Sequence, residues 1–219
     1  MKYLENKKEI YDVAVALLYT DIIPDEQVGW IVVHHPFTQN AVAMINNEFI
    51  ELTNEESANK WREFLKNLIK DEDFFELSRY ICNPYKLTFL KYCLPYLDNE
   101  DISRYIAENW ILVEYPSRDI FSMKELVNLF QRCKKEILMD EEELETFNKL
   151  PDEVVIYRGV SNSDNNEPHA LSWTLDKNIA KKFCQRGIQS NPIVLEKKIS
   201  KDKILCYFAG EQEVIVDTF

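Results

Sequence analysis

The sequence lacks the features that mark a membrane protein or a disulfide-stapled secreted protein. Its longest apolar run near the N-terminus, residues 13–19, is too short to span a bilayer, and residues 1–9 are charged and carry no signal-peptide pattern. The five cysteines are scattered and include no C-x-x-C pair, so neither a disulfide framework nor a zinc site is expected. These absences predict a cytoplasmic protein with reduced thiols and no membrane partner.

Glycine is also scarce, with only 4 residues among 219, and the chain contains neither a G-x-G-x-x-G fingerprint nor a Walker loop. A dinucleotide, if one binds, is therefore expected to bind without a Rossmann unit. No cluster of metal ligands is visible, so no metal is expected. A hydrophobic fraction of 46% with 12% aromatics is enough for a packed core and argues against wholesale disorder.

Lys and Arg are fewer than Asp and Glu, and the difference between them varies along the chain. The formal net charge is −12. Residues 1–150 carry 17 Lys and Arg against 28 Asp and Glu, whereas residues 151–219 carry 9 against 10. This acidity suits a basic partner and argues against broad binding of a phosphate backbone, although a nucleic acid held at one local site stays open.

The N-terminal part reads as mostly helical. Apolar residues at helical spacing predict a first helix over residues 10–18, and short strands are predicted at 30–33, 41–45 and 49–52, with a turn at Asn46-Asn47. Thr53 followed by Glu56 predicts the capped start of a helix that runs to residue 69. Helices dominate from there to about residue 149, including one that starts with the Ser122 and Glu125 capping box.

The pattern changes at Pro151, where residues rich in β-branched and aromatic side chains begin. Strands are predicted at 154–157, 171–174, 192–199, 204–208 and 214–216. A polar loop is predicted at 161–168, and a helix capped by Asp176 is expected to end near Gly187. The sequence therefore predicts an α+β protein in which a helical region, residues 1–115, precedes a β-rich domain, residues 116–219.

Three short motifs in the β-rich part carry side chains suited to chemistry. Arg158 ends the first strand and offers a forked cation to a phosphate or ribose oxygen, and Gly159 allows close approach of a ligand. In Ser172-Trp173-Thr174, alternation places the two hydroxyls on one side and the indole on the other. Taken singly, the first is also typical of a surface ion-pair residue and the second of an ordinary strand with a core tryptophan.

The third motif is Glu211-Gln212-Glu213, which precedes a run of β-branched residues. Two carboxylates on the same side of a strand start repel each other unless a cation or a reaction uses them. A solvated strand edge is the alternative. Before this motif, Tyr207 or Phe208 could act as an aromatic of a recognition loop, although core packing is the simpler interpretation.

Taken together, in this order and spacing, the three motifs resemble the arginine-type (R-S-E) ADP-ribosyltransferase family, including bacterial and phage mono-ADP-ribosyltransferase toxins. The resemblance covers roughly residues 120–219. It implies an ADP-ribosyltransferase-type split β-sandwich, NAD as the substrate, and no metal. The chain departs from the family in stopping six residues after Glu213, where many relatives have a further strand.

The resemblance also implies roles for the motif residues. Arg158 would bind the NAD phosphates and the nicotinamide-side ribose, and Gly159 the nicotinamide amide. Ser172 would orient the catalytic Glu213, with Trp173 and Thr174 completing the NAD site. Glu213 would bind the ribose 2′-hydroxyl and stabilise the charge formed as nicotinamide leaves. Glu211 would orient or deprotonate the acceptor.

The expected function is mono-ADP-ribosylation of a macromolecule, either a protein side chain such as arginine or a base in RNA or DNA. The E-x-E form usually accompanies arginine acceptors, but imperfectly. Such an enzyme suits a toxin of a toxin–antitoxin or anti-phage system, which implies a neutralising antitoxin as partner. The alternative is a catalytically silent NAD-binding or interaction module that keeps the fold.

Overall fold

The computed structural model describes residues 1–113, 120–160, 170–184 and 193–219. The chain folds into two compact units, residues 1–120 and 121–219, and each contains helices and antiparallel strands, so the protein is of the α+β class. The predicted boundary after residue 115 lies in the segment 114–119, outside the described residues. The predicted loop at 161–168 and the predicted helix end at 187 lie outside them as well.

The first unit contains helices and short strands. Its elements are α1 (Lys7–Leu18), β1 (Ile23–Asp25), β2 (Gly29–His35), β3 (Thr38–Asn40), β4 (Val42–Ile45), β5 (Glu48–Glu51), α2 (Glu55–Ile69), α3 (Phe74–Tyr80), α4 (Lys86–Cys93) and α5 (Asn99–Asn109). The strands form a three-stranded sheet in the order β1-β2-β3 and a two-stranded ribbon of β4 and β5. The unit therefore contains two short strands, β1 and β3, that the sequence pattern did not predict.

The β4–β5 ribbon closes at the predicted Asn46-Asn47 turn. Both asparagines adopt positive φ, 50° and 66°, which two-residue hairpins require and which asparagine tolerates better than most residues. The following helix, α2, begins one residue later than predicted. Its N-cap is Asn54 rather than Thr53, because the Asn54 side chain accepts the Ser57 N–H at 3.0 Å.

The core of the first unit is aromatic and aliphatic. Helix α1 buries Ile10, Ala14, Leu17 and Leu18 along one stripe, as its spacing predicts. Phe74 stacks on Tyr105 with ring centroids 4.9 Å apart, and both rings are fully buried. Burial of each such side chain contributes about 1.5–3 kcal/mol, which makes the long-range contacts of these helices the main source of stability.

The second unit consists of helices followed by a sheet. Its elements are α6 (Met123–Arg132), α7 (Lys135–Leu138), α8 (Glu141–Lys149), β6 (Glu153–Val160), β7 (Ser172–Thr174), α9 (Lys177–Cys184), β8 (Ile193–Ser200), β9 (Ile204–Phe208) and β10 (Glu213–Val216). Capping boxes start α6 at Ser122, as predicted, and α8 at Asp140. All neighbouring strands of the sheet are antiparallel, in the order β8-β6-β7-β10-β9.

Candidate active site

The strands that carry the three motifs lie side by side at the centre of the sheet. Strand β7, with the Ser172 motif, pairs with β6 on one side and with β10 on the other. Strand β6 carries Arg158, and β10 begins at Glu213. Residues separated by as many as 55 positions in the chain are thereby brought to one region of the sheet.

The register places three of the candidate side chains, Ser172, Thr174 and Glu213, on one face. Thr174 lies opposite Tyr157 of β6 and opposite Glu213 of β10, so the three residues form a row across three strands. Ser172 is two residues from Thr174 and shares its face. Directly diagonal positions in such a ladder have Cα atoms about 7–8 Å apart, which a glutamate side chain can bridge. Ser172 and Glu213 are both half-buried, so their side chains are held by neighbours and still reach solvent.

The Thr174 hydroxyl connects the sheet to the turn before β10. Its Oγ1 donates to the Glu211 carbonyl oxygen at 2.8 Å and accepts the Asp176 N–H at 3.1 Å. The neighbouring Leu175 N–H donates to the Gln212 carbonyl oxygen at 2.9 Å. Thr174 is only 4% exposed, so these bonds form in a dry environment where an unmade partner is costly. This residue fixes the backbone of the glutamate turn.

The two glutamates of the third motif do not share a strand. Glu211 is exposed and lies in the turn that follows β9, whereas Glu213 is the first residue of β10. Gln212 between them has φ 46°, a left-handed conformation that costs about 1 kcal/mol or more for a residue with a Cβ. This kink corrects the expectation that both carboxylates line one side of a strand start. It separates an exposed carboxylate from a half-buried one.

Arg158 lies at the point where β6 and β7 part. The strands pair at Tyr157 and Thr174, and one residue further along β6 the Arg158 Nη1 donates to the Ser172 carbonyl oxygen at 2.6 Å. Leu171 bonds to β10 through Val216, so by alternation the Ser172 carbonyl faces β6. The guanidinium thus donates the hydrogen bond that a backbone N–H of β6 would donate if the two strands continued to pair. The Cβ of Arg158 lies on the face of the sheet opposite Thr174, and its side chain bends back so that the guanidinium lies in the gap between β6 and β7.

Trp173 lies away from these side chains. It is 7% exposed, on the face opposite Ser172 and Thr174, and its Nε1 donates to the Ala170 carbonyl oxygen at 2.8 Å. The alternation predicted for the Ser172-Trp173-Thr174 strand is therefore present, and the indole serves packing. The structure does not bring Trp173 to the face that holds Ser172 and Glu213.

Gly159 has a structural reason to lack a side chain. A Cβ built at this position would overlap the Ala180 carbonyl oxygen and would approach Phe183 Cβ to 2.8 Å and Cys184 N to 2.9 Å. Helix α9 therefore packs directly on the backbone of β6 next to Arg158. The close approach that the glycine was expected to allow a ligand is used here by a helix.

Cys206 is a neighbour of the candidate site that the sequence did not single out. It is fully buried on β9 and pairs with Ile215 of β10. Ile215 is two residues after Glu213, so Cys206 and Glu213 are diagonal neighbours on the same face. Burial raises the pKa of the Cys206 thiol well above its usual value, and the Glu213 carboxylate adds to the effect. The thiol is consequently neutral beside Glu213. Only the β9–β10 register reveals this proximity, because no sequence motif links the two residues.

The aromatic pair before the turn belongs to the core. Tyr207 is 7% and Phe208 5% exposed, so neither side chain is presented at the surface for recognition.

Within residues 1–113, 120–160, 170–184 and 193–219, no group of three or more His, Cys, Asp or Glu side chains is arranged to hold a metal ion. In the same residues no helix is both long and apolar enough to cross a bilayer.

Comparison of the chain with protein-family models, with curated proteins and with solved structures gave no match.

Proposed function

We propose that the chain is a mono-ADP-ribosyltransferase that cleaves NAD and transfers ADP-ribose to a macromolecule, and that residues 116–219 form an ADP-ribosyltransferase-type split β-sandwich. The observation that carries the proposal is the adjacency of the three motif strands. Ser172, Thr174 and Glu213 share one face, and the Arg158 guanidinium lies at the gap beside Ser172. The motifs resemble the family in their order and spacing along the chain. Their adjacency in the sheet is a separate observation, and it supports the same proposal.

The chemistry assigned to Glu213 follows from its charge and its half-buried position. Cleavage of the N-glycosidic bond of NAD releases neutral nicotinamide with the bonding electrons and leaves an oxocarbenium-like ribose. A fixed carboxylate stabilises that developing positive charge more in the transition state than in the ground state. Ser172 lies on the same face, and we assign it to orienting Glu213 by hydrogen bonding.

Arg158 is assigned to the NAD phosphates, because its guanidinium is a planar fork whose geometry suits a phosphate. The backbone of Gly159, whose side-chain position is taken by α9, is assigned to the nicotinamide amide. Thr174 holds the turn and Trp173 packs behind the site; we assign both to support of the site rather than to contact with NAD.

Glu211 is assigned to the acceptor. It is exposed in the turn before β10, outside the row of half-buried side chains, where an incoming side chain or base could be deprotonated as it attacks the ribose. The acceptor is a protein side chain such as arginine, or an RNA or DNA base. We further propose action in the cytoplasm as the toxin of a toxin–antitoxin or anti-phage system, with a neutralising antitoxin as partner.

Release of nicotinamide from NAD tests the proposal. Wild type is compared with Glu213→Gln and with Glu153→Gln, a matched control on an exposed strand glutamate of the same sheet. Wild type and Glu153→Gln are expected to release nicotinamide, and Glu213→Gln at least about a hundredfold less, in line with loss of one electrostatic stabiliser. Absence of release from folded wild type, with and without cell extract, would instead indicate a catalytically silent NAD-binding or interaction module.

The acceptor is identified by a second measurement. NAD labelled in its adenylate part is incubated with the enzyme in cell extract, and the macromolecular label is then treated with protease or with nuclease. Loss of label to protease alone identifies a protein acceptor, and loss to nuclease alone identifies a nucleic acid. Glu211→Gln is expected to retain nicotinamide release and to lose most of the transferred label. Equal loss of both activities would contradict the role given to Glu211.

A further inference from the structure

The β4–β5 ribbon of the first unit exposes a row of large apolar side chains. Met44 and Phe49 lie directly opposite each other and are 59% and 80% exposed. Val42 shares their face and is 45% exposed. The Ala41 N–H donates to the Ile31 carbonyl oxygen at 3.4 Å, so Trp30, also 45% exposed, and Val42 are the chain neighbours of the two bonded residues. Trp30, Val42, Met44 and Phe49 are called the outer ribbon face below.

The exposure of this face is unusual for a short antiparallel ribbon. Its other face already supplies the apolar contacts of the ribbon, because Ile45 is 4% exposed and Ala43 and Ile50 are half-buried. A half-solvated ribbon normally alternates apolar and polar residues. Here three of the four ribbon positions on the solvent face, Val42, Met44 and Phe49, are apolar too. Contiguous exposed apolar side chains of this size are typical of an interaction surface.

The segment of the chain that contains the outer ribbon face carries charge of one sign. Residues 9–59 contain nine Asp and Glu and no Lys or Arg. Glu51 lies directly opposite Val42 on the same face. A nucleic acid or an anionic lipid surface would be repelled by this rim, and a second copy of the chain would present the same acidic charge.

We propose that the outer ribbon face is a docking surface for a basic protein segment whose apolar side chains cover Phe49, Met44, Val42 and Trp30 and whose Lys or Arg side chains meet the acidic rim. The centre of such a contact supplies affinity through burial of apolar area, and the charged rim supplies selectivity and rapid association. The inference stands without the proposed function, because it uses no residue of the second unit.

Three fluorescein-labelled 14-residue peptides test the proposal by fluorescence anisotropy. The first alternates Lys with Val and Phe, the second has Glu in place of every Lys, and the third has Ser in place of every Val and Phe. The full chain is expected to bind the first peptide at least about tenfold more tightly than either of the others, which corresponds to about 1.4 kcal/mol. Equal binding of the first and second peptides, or of the first and third, would overturn the proposal.

Variants locate the binding to this face. Met44→Ser with Phe49→Ser is expected to weaken the first peptide at least about tenfold, whereas Tyr92→Ser, an exposed aromatic on α4, should not change it. Glu51→Lys, which reverses the charge opposite Val42, should shift the preference toward the second peptide. Far-ultraviolet circular dichroism checks folding, and Phe49→Ser alone serves if the double variant is unstable. Unchanged binding by the serine variants, capture of the protein by anionic vesicles, or dimerisation abolished by Phe49→Ser would each contradict the assignment.

Discussion

The hydroxyl of Thr174 donates a 2.8 Å hydrogen bond to the carbonyl oxygen of Glu211, 37 residues further along the chain. This bond joins the Ser172-Trp173-Thr174 strand to the glutamate turn through the backbone rather than through the side chains expected to react. It makes the position of Glu211 depend on a buried residue that never needs to touch a substrate.

Thr174→Val removes the hydroxyl and keeps the shape of the side chain. The Glu211 carbonyl and the Asp176 N–H then lose a buried partner, so unfolding free energy measured in urea should fall by about 1–3 kcal/mol. Thr174→Ser keeps the hydroxyl and should recover most of the loss. Thr146→Val, at an exposed helix position, should change stability by less than about 0.5 kcal/mol. A Thr174→Val variant as stable as wild type would show that the bond contributes nothing.

Gly159→Ala should destabilise the second unit by about 1–3 kcal/mol or more, because the new methyl group overlaps α9 and forces the helix or β6 to move. Gly210→Ala is the matched control, since a Cβ there meets nothing within 4 Å. Its urea midpoint should stay within error of wild type. If both variants are equally stable, the helix does not pack on Gly159 as described.

His35 should make the stability of the first unit depend on pH. The ring is fully buried, its Nδ1 accepts the Phe37 N–H at 3.1 Å, and its Nε2 lies 3.2 Å from the Leu18 carbonyl oxygen, an arrangement that fits the neutral ring with the proton on Nε2. Burial lowers the pKa of His35 from 6.5 to about 4. Below about pH 6.5 the His35 ring of the unfolded chain binds a proton, whereas the ring in the folded protein stays neutral. The free energy of unfolding therefore keeps the whole contribution of this residue above pH 6.5 and decreases as the pH falls from about 6.5 to 4.

The maximum effect of this shift is about 3 kcal/mol by proton linkage. Urea unfolding at a series of pH values should show the decline in wild type and a flatter profile in His35→Gln between pH 6.5 and 5. His34→Gln, which changes an exposed neighbouring ring, should follow wild type. Titration of the His35 ring near pH 6.5 in the folded protein, followed by nuclear magnetic resonance, would contradict the prediction.

Arg158→Lys should lower nicotinamide release by at least about tenfold, or about 1.4 kcal/mol of transition-state free energy. A lysine ammonium is a single point charge without the planar fork of a guanidinium. It therefore cannot donate to the Ser172 carbonyl oxygen and also bind a phosphate through two parallel hydrogen bonds. Arg79→Lys, on an exposed helix position of the first unit, should be silent in the same assay. Wild-type release by a folded Arg158→Lys variant would remove Arg158 from the proposed site.

Local sequence signals located several elements because their causes are local. The stripe of Ile10, Ala14 and Leu17 requires only helical spacing, and the Ser122 capping box requires only a partner three positions further along the chain. The start of α2 shows the limit of such signals. Thr53 and Asn54 both suit a cap, and the side chain that meets the Ser57 N–H is set by the path of the preceding strand.

The sequence by itself determined many of the elements, though not the short strands β1 and β3. It also determined the alternation of Ser172, Trp173 and Thr174 and the choice of Arg158, Ser172 and Glu213 as candidates, since side-chain chemistry and period-two alternation are properties of short segments. Only the tertiary structure decided that Glu211 leaves the strand through a left-handed Gln212, that Gly159 receives α9, and that Cys206 lies beside Glu213. These relations depend on strand register and helix packing, which are fixed by contacts between residues far apart in the chain.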